Sequence, residues 1–343
     1  MKNEIAEPFD RLLGDVCTPA TVRAIEGGAS AAPLWSAIER SGFLATLVPE
    51  AAGGAGLRLA DAFALFALEG RHAVPLPAAH TMIVRALLAS DGGDAPPGAI
   101  AIAAETRVGA DGTVSCPGTP FGLVADAVVV THANGGWSVL PVVAAERRPS
   151  GVHGSLRADL HWRAPPAGAI AGTRPVAWAE VGAALSAALL AGTLERVLAT
   201  TVAFANERVQ FGRSIGKFQA IQHQLAVMAE HVVAAHMAAQ IGCSGDGPLP
   251  VPLRAALAKA RASEAAALAA PLAHAVHGAI GITAELDLQL YTRRAHELRA
   301  DFGAETHWNR VLGRALLASD APLALDFLRD ALLPSNDEIQ ATP

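Results

Sequence analysis

The spacing of hydrophobic positions changes period twice along this chain. Over residues 1–98 apolar side chains recur at helical intervals. Trp35, Ile38, Phe43 and Leu44 define one face, and Leu59, Phe63 and Phe66, flanked by Leu65 and Leu68, define another. Between them, Val48-Pro-Glu-Ala-Ala-Gly-Gly-Ala-Gly-Leu57 cannot be regular helix, because glycines and a proline interrupt it. Asp91–Gly98 reads as a linker. Over 99–172 the apolar runs become short and β-branched: Ala99–Ala104, Ala127–Thr131 and Trp137–Val142, separated by Gly, Asp, Asn and Pro. Asp111-Gly112 and Asn134-Gly135 are good hairpin turns. From 173 the helical period returns, with spans expected at 178–208, 218–241, 252–277, 285–299, 304–316 and 321–332, before a polar tail over 334–343. The pattern predicts a mainly α protein with a small β domain: an N-terminal helical domain (1–98), a small antiparallel middle domain (99–172), and a C-terminal four-helix-bundle-type domain (173–343).

Composition narrows the class. The chain has 343 residues, 52% apolar and 17% charged, with a formal charge of −6. Neither a nucleic-acid footprint nor a polybasic membrane patch is visible. Low charge and abundant alanine suit helices packed across a large subunit interface, so an oligomer is expected. Because mean hydropathy is positive, membrane insertion needs a check. The apolar run Val181–Leu194 is bounded by Glu180 and Glu195 and falls short of the about 20 residues that a spanning helix needs. It reads as a buried core helix, and no membrane association is expected. Cys17, Cys116 and Cys243 are widely spaced and suit buried thiols of a reducing cytoplasm.

The most informative stretch runs from Asn206 to Glu230. One helix ends, the chain turns at Gly212 and Gly216, and a second helix opens near Phe218. Arg208, Arg213 and Lys217 crowd cations around the turn, and Gln219, Gln222 and Gln224 add amides. Guanidinium forks and the free N–H groups of a helix N-terminus both suit phosphate oxygens, so the corner fits a pyrophosphate-containing cofactor. On composition alone a solvated helix–turn–helix with surface charges is the better reading.

From Arg208 to Ala229 the segment resembles the signature of acyl-CoA dehydrogenases, R-x-Q-F-G-x-x-I-x-x-F-Q-x-x-Q-H-x-L-A-x-M-A. A second segment, His274-Ala-Val-His-Gly-Ala-Ile-Gly-Ile-Thr-Ala-Glu continuing to Tyr291-Thr-Arg-Arg-Ala295, is similar to the family's A-x-Q-x-H-G-G-x-G-x-T-x-E…Y-x-R-R-A, and Gly42–Leu57 resembles its N-terminal G-W/F-L-x-L-x-V-P-E-x-x-G-G-x-G. The resemblance implies the acyl-CoA dehydrogenase fold, an acyl-CoA substrate, FAD as cofactor and an electron-transfer acceptor. It also implies that Arg208 pairs with the FAD pyrophosphate, Phe211 packs on the flavin or adenine region, and Gln219 contacts the ADP half. His277, Gly278 and Gly281 would complete the cradle of a cofactor bound mainly by the adjacent subunit. Taken without the resemblance, His277 is equally a satisfied core histidine. Two departures stand out: Ala279 replaces a glycine, and Ala275 replaces a cofactor-binding glutamine.

The resemblance fails at the catalytic base. The family keeps its glutamate in one of two places, and here these are Phe302 and Gly182, neither able to accept a proton. Asp301 is adjacent to the first position and is the remaining candidate base, although it equally suits a helix cap. The middle-domain T-E-P-x-x-G-S-D motif is also lost from Ile100–Ala110. This pattern looks like the short, non-catalytic subunits of heterotetrameric (α2β2) acyl-CoA dehydrogenases of steroid degradation, where a homologous partner supplies the base and the short chain completes the FAD pocket. The alternatives are a self-sufficient homomeric enzyme using Asp301 and a flavin-free structural subunit of the same fold.

Overall fold

The computed structural model describes residues 2–245 and 247–332; the tail expected over 334–343 lies outside them. The N-terminal part is helical: α1 (Lys2–Val16), α2 (Pro19–Glu26), α3 (Ala32–Arg40), α4 (Leu59–Arg71) and α5 (Ala78–Ser90). Thr18 starts α2, its hydroxyl accepting from Thr21 N–H at 3.2 Å just ahead of Pro19. The glycine-rich stretch before α4 forms only short 3-10 turns, as its breakers require. Helix α5 is buried over most of its length.

Two four-stranded sheets follow. One has the order β1-β4-β5-β8, with β1 Ile100–Ile102, β4 Ala127–Thr131, β5 Trp137–Pro141 and β8 Ile170–Ala171. The other has the order β2-β3-β7-β6, with β2 Arg107–Val108, β3 Val114–Thr119, β6 Glu146–Pro149 and β7 Ala158–Trp162. Both expected hairpin turns are present, joining β2 to β3 and β4 to β5. The expectation of a purely antiparallel domain needs correction, since β1 pairs parallel to β4. The other edge of β1 is met by side chains of α5. Ile100 N–H donates to Thr81 Oγ1 at 2.9 Å, and Ile102 N–H to His80 Nδ1 at 3.2 Å. A strand edge that would otherwise bury unpaired donors is thereby satisfied. Trp162 of one sheet donates from Nε1 to Pro141 O of the other at 3.1 Å.

The C-terminal helices are α6 (Trp178–Glu207), α7 (Gln219–Gly242), α8 (Pro252–His277), α9 (Leu288–Ala300) and α10 (Glu305–Leu317). A short α11 (Ala324–Phe327) continues into a π turn. Helix α6 is the hub and packs on α4, α7, α8 and α9. It crosses α4 backbone to backbone: a Cβ on Gly70 would lie 1.9 Å from Leu189 O, and one on Gly192 would lie 1.7 Å from Ala67 O. Thr193 Oγ1 donates to Gly70 O across the seam at 3.1 Å. Only glycine permits such an approach.

The apolar length of these helices exceeds what the run Val181–Leu194 suggests. By length and composition alone, α6, α7 and the span Pro252–Ile282 are each long and apolar enough to cross a membrane. The most apolar window of α6 is 83% buried within the protein, which makes it the core helix expected. The corresponding windows of α7 and of Pro252–Ile282 are only 33% and 44% buried. All three cysteines are buried and unpaired.

Candidate functional site

The cofactor corner is built where α6 runs out. Arg208 leaves the helix in extended conformation, and the chain makes a two-residue hairpin between β9 (Val209–Gln210) and β10 (Arg213–Ser214). At its tip Phe211 (φ 52°) and Gly212 (φ 79°) both lie in the left-handed region, the requirement of a tight type I′ turn. Phe211 is a bulky residue at such an angle, and its side chain is 92% exposed. The Arg213 guanidinium stacks on the Phe218 ring at 4.1 Å, and Phe211 approaches Phe218 edge-on with ring centroids 6.2 Å apart. A 3-10 turn, Ile215–Lys217, leads into α7. It is held by Ile215 N–H donating to Arg208 O at 2.8 Å and Gln222 Nε2 donating to Gly216 O at 3.0 Å. No side chain caps α7, so the N–H groups around Gln219 stay available to a ligand. Arg208, Lys217 and Gln219 are exposed, and among the described residues no side-chain partner occupies them. Free cations beside an uncapped helix start fit a pyrophosphate.

The second motif lies against the first. Phe204, one turn before Arg208 on α6, stacks on His277 with centroids 4.3 Å apart. His277 is buried, and its Nδ1 donates to Ala273 O at 2.8 Å. This is the geometry of a core histidine. Burial lowers its pKa, so the ring is neutral with its proton on Nδ1. Nε2 is then a buried acceptor with no partner among the described residues. Gly278 (φ 65°, ψ −148°) ends α8 in a conformation that L side chains rarely adopt, with open space where a Cβ would point. Gly281 is small for an internal reason, since its Cβ would lie 2.8 Å from that of His277. Ala275 is exposed and brings no polar group to the cradle.

The two positions of the missing base meet in space. Phe302 (φ 54°) lays its ring directly on Gly182 of α6, and a Cβ there would fall 2.2 Å from the ring. The imidazole of His80 stands edge-on to both Phe302 and Phe121, at 6.1 and 5.7 Å. Burial lowers the pKa of His80 to about 4, so it is neutral. Asp301 is buried and pairs with the Arg157 guanidinium, whose Nη1 also donates to Gly118 O at 2.5 Å. Asp301 does not cap α10, whose N-cap is Ala304. The space left between Phe121, Leu156, Arg157, Arg294 and Asp301 is about 20 Å³, room for roughly one water. A flavin ring does not fit there. Arg157 and His80 were not foreseen. They lie far from Phe302 in sequence, Arg157 in the loop before β7 and His80 on α5, and no local pattern announces their convergence.

Comparison with known proteins bears on the family and the fold. The family description "Acyl-CoA dehydrogenase, C-terminal domain" matches residues 178–317. The chain is 34% identical over 312 residues to acyl-CoA dehydrogenase IpdE2 of Mycobacterium tuberculosis, covering 85% of this chain and 90% of that protein. Among solved structures, a chain of the ChsE4-ChsE5 complex from Mycobacterium tuberculosis superposes with a TM-score of 0.81 at 21% identity, covering 93% of this chain and 98% of that one. Butyryl-CoA dehydrogenase from Megasphaera elsdenii superposes with a TM-score of 0.72 at 20% identity, covering 91% and 98%. With this identity over nearly its full length, and with the expected fold, the chain belongs to the acyl-CoA dehydrogenase family of FAD-dependent oxidoreductases.

Proposed function

We propose that this chain is the non-catalytic subunit of a hetero-oligomeric acyl-CoA dehydrogenase, of α2β2 form, that desaturates a bulky acyl-CoA thioester between its α and β carbons. A homologous partner supplies the carboxylate base and the acyl-CoA cleft, and this chain completes the partner's FAD site. The observation that carries the reading is the Phe302 ring packed on Gly182, which fills both base positions with groups that cannot take a proton. Asp301 is a poor substitute, because a carboxylate held by a guanidinium in a closed space has no access to a substrate.

In the complex Arg208 forks onto the pyrophosphate, Lys217 and the uncapped start of α7 at Gln219 add positive field, and Phe211 packs on the ring system presented by the partner. The chemistry the cofactor supplies is acceptance of the β-hydride, with electrons passing on to an external acceptor. Val227, Val233 and Met237 of α7 and Leu268 of α8 are exposed apolar residues, consistent with a face that a partner covers. The likeness to a chain of the ChsE4-ChsE5 complex and to the Tcur3481-Tcur3483 steroid ACAD, at a TM-score of 0.79 and 23% identity, supports a two-chain assembly and a steroid-type substrate. Arg208→Ala tests the proposal. Loss of a charge-assisted bond costs about 1.5–3 kcal/mol, so FAD affinity of the co-purified complex should fall at least about tenfold. Unchanged FAD occupancy in dialysed complex would remove Arg208 from the cofactor site.

A further inference from the structure

We propose that the cleft between α2, the loop over 150–157 and α9 is a binding site for a small organic phosphate. The cleft has a volume of about 600 Å³, within the range of small-molecule sites. Its walls include two guanidiniums, Arg23 and Arg293, and three imidazoles, His153, His274 and His296, against a single lining carboxylate, Glu26.

That carboxylate is already shared. Glu26 Oε2 accepts from Arg293 at 2.8 Å, and its Oε1 accepts from Arg294 at 3.3 Å. Arg23 is matched by Asp287 at 2.5 Å, yet its Nε is buried with no acceptor. Arg294 shares Glu26 from outside the cleft, so the ion-paired network counts three guanidiniums to two carboxylates before any imidazole takes a proton. The wall is built with some precision. Gly154 (φ 77°) has no Cβ because one would fall 2.1 Å from Arg293 Nη1, which donates to His153 O at 2.8 Å. His274 is fixed by its Nε2 contact with Thr292 Oγ1 at 3.0 Å. His296 is exposed, with no side-chain partner among the described residues. None of Arg208, Phe211, Gln219, His277, Gly278, Gly281 or Phe302 lines the cleft, although His274, Ile282 and Arg293 of the second motif do, so the cleft borders the cofactor cradle without sharing its named residues.

A phosphate dianion suits this lining, because its oxygens can accept from groups on opposite walls while Arg23 and Arg293 keep their carboxylate partners. Burial above all holds the His274 imidazole below its ordinary pKa. An anion in the cleft offsets that cost and draws a proton onto His274, so binding strengthens as pH falls. The groups that set this response are Arg23, Glu26 and Asp287 on one side, and Arg293, Arg294, His153, His274, His277 and His296 on the other.

Isothermal titration of the purified complex with AMP as a phosphate monoester tests the assignment, with succinate as a carboxylate of equal charge. The expected result is saturable AMP binding, one per chain, tighter at about pH 6.5 than at about pH 8. It should weaken about tenfold or more in the His153→Gln/His296→Gln double variant and stay unchanged in Arg208→Ala. Absence of saturable binding would overturn the proposal. So would binding that Arg208→Ala abolishes, binding insensitive to the double variant, or succinate binding as tightly as AMP.

Discussion

The pairing of Asp301 with Arg157 ties the end of α9 to the middle domain, and it separates two roles for that carboxylate. If Asp301 is structural, Asp301→Asn leaves a largely buried guanidinium without its counter-charge. The change should then cost about 3 kcal/mol of stability while flavin content and turnover of the assembled complex persist. Intact stability with abolished turnover would restore Asp301 as the base. Glu69 offers a second residue-scale test. It is buried in α4, its Oε2 accepts from Ala79 N–H at 3.0 Å, and burial pushes its pKa from 4.5 to about 8. A group whose folded pKa is raised contributes stability that is fully present below the unfolded value and is lost as pH rises through about 8. Glu69→Gln should flatten that decline, and urea midpoints measured across pH 5–8 would reveal it. The glutamate lies within Leu65-Phe66-Ala67-Leu68-Glu69, where nothing local marks its burial. By contrast, the turn and helix start that carry Arg208 and Gln219 were legible, because they depend on residues adjacent in sequence. Phe302 and Gly182 were legible as absences, but not as a contact.

Helix packing turns on a few positions without side chains. At the α4–α6 crossing, Gly70→Ala or Gly192→Ala would drive a methyl into a main-chain carbonyl that has no rotamer to escape by. Each should cost about 3 kcal/mol, read as a lowered thermal midpoint. The control is Gly14→Ala on α1, where nothing lies within 4 Å of the new methyl and higher helix propensity should leave stability level or raise it by up to about 1 kcal/mol. The long helices were readable to within a few residues, since α6, α7 and α8 each carry a sustained apolar pattern, and α7 and α8 are bounded by Gly or Pro. The strands were harder. Ala99–Ala104 announces a strand but not its parallel partner, which lies beyond a hairpin and depends on α5 covering the far edge. Strand β6 is wholly exposed and charged, Glu-Arg-Arg-Pro, with no alternation to find.

At the scale of the molecule, one end of the chain's site is closed and another is left open. The cleft beside Phe302 is filled from within, whereas the corner at Arg208 presents free cations, an uncapped helix and an exposed phenylalanine on strained backbone. The apolar faces of α7 and α8 lie in the same domain as that corner, so a partner covering them could also bring its cofactor there. The direct measurement is the visible absorption spectrum, with FAD stoichiometry, of this chain purified alone and then co-purified with a homologous subunit that retains the glutamate base. No flavin bands are expected from the chain alone, and flavin with dehydrogenase turnover is expected in the complex. Tightly bound flavin and turnover from the chain alone would contradict the proposal.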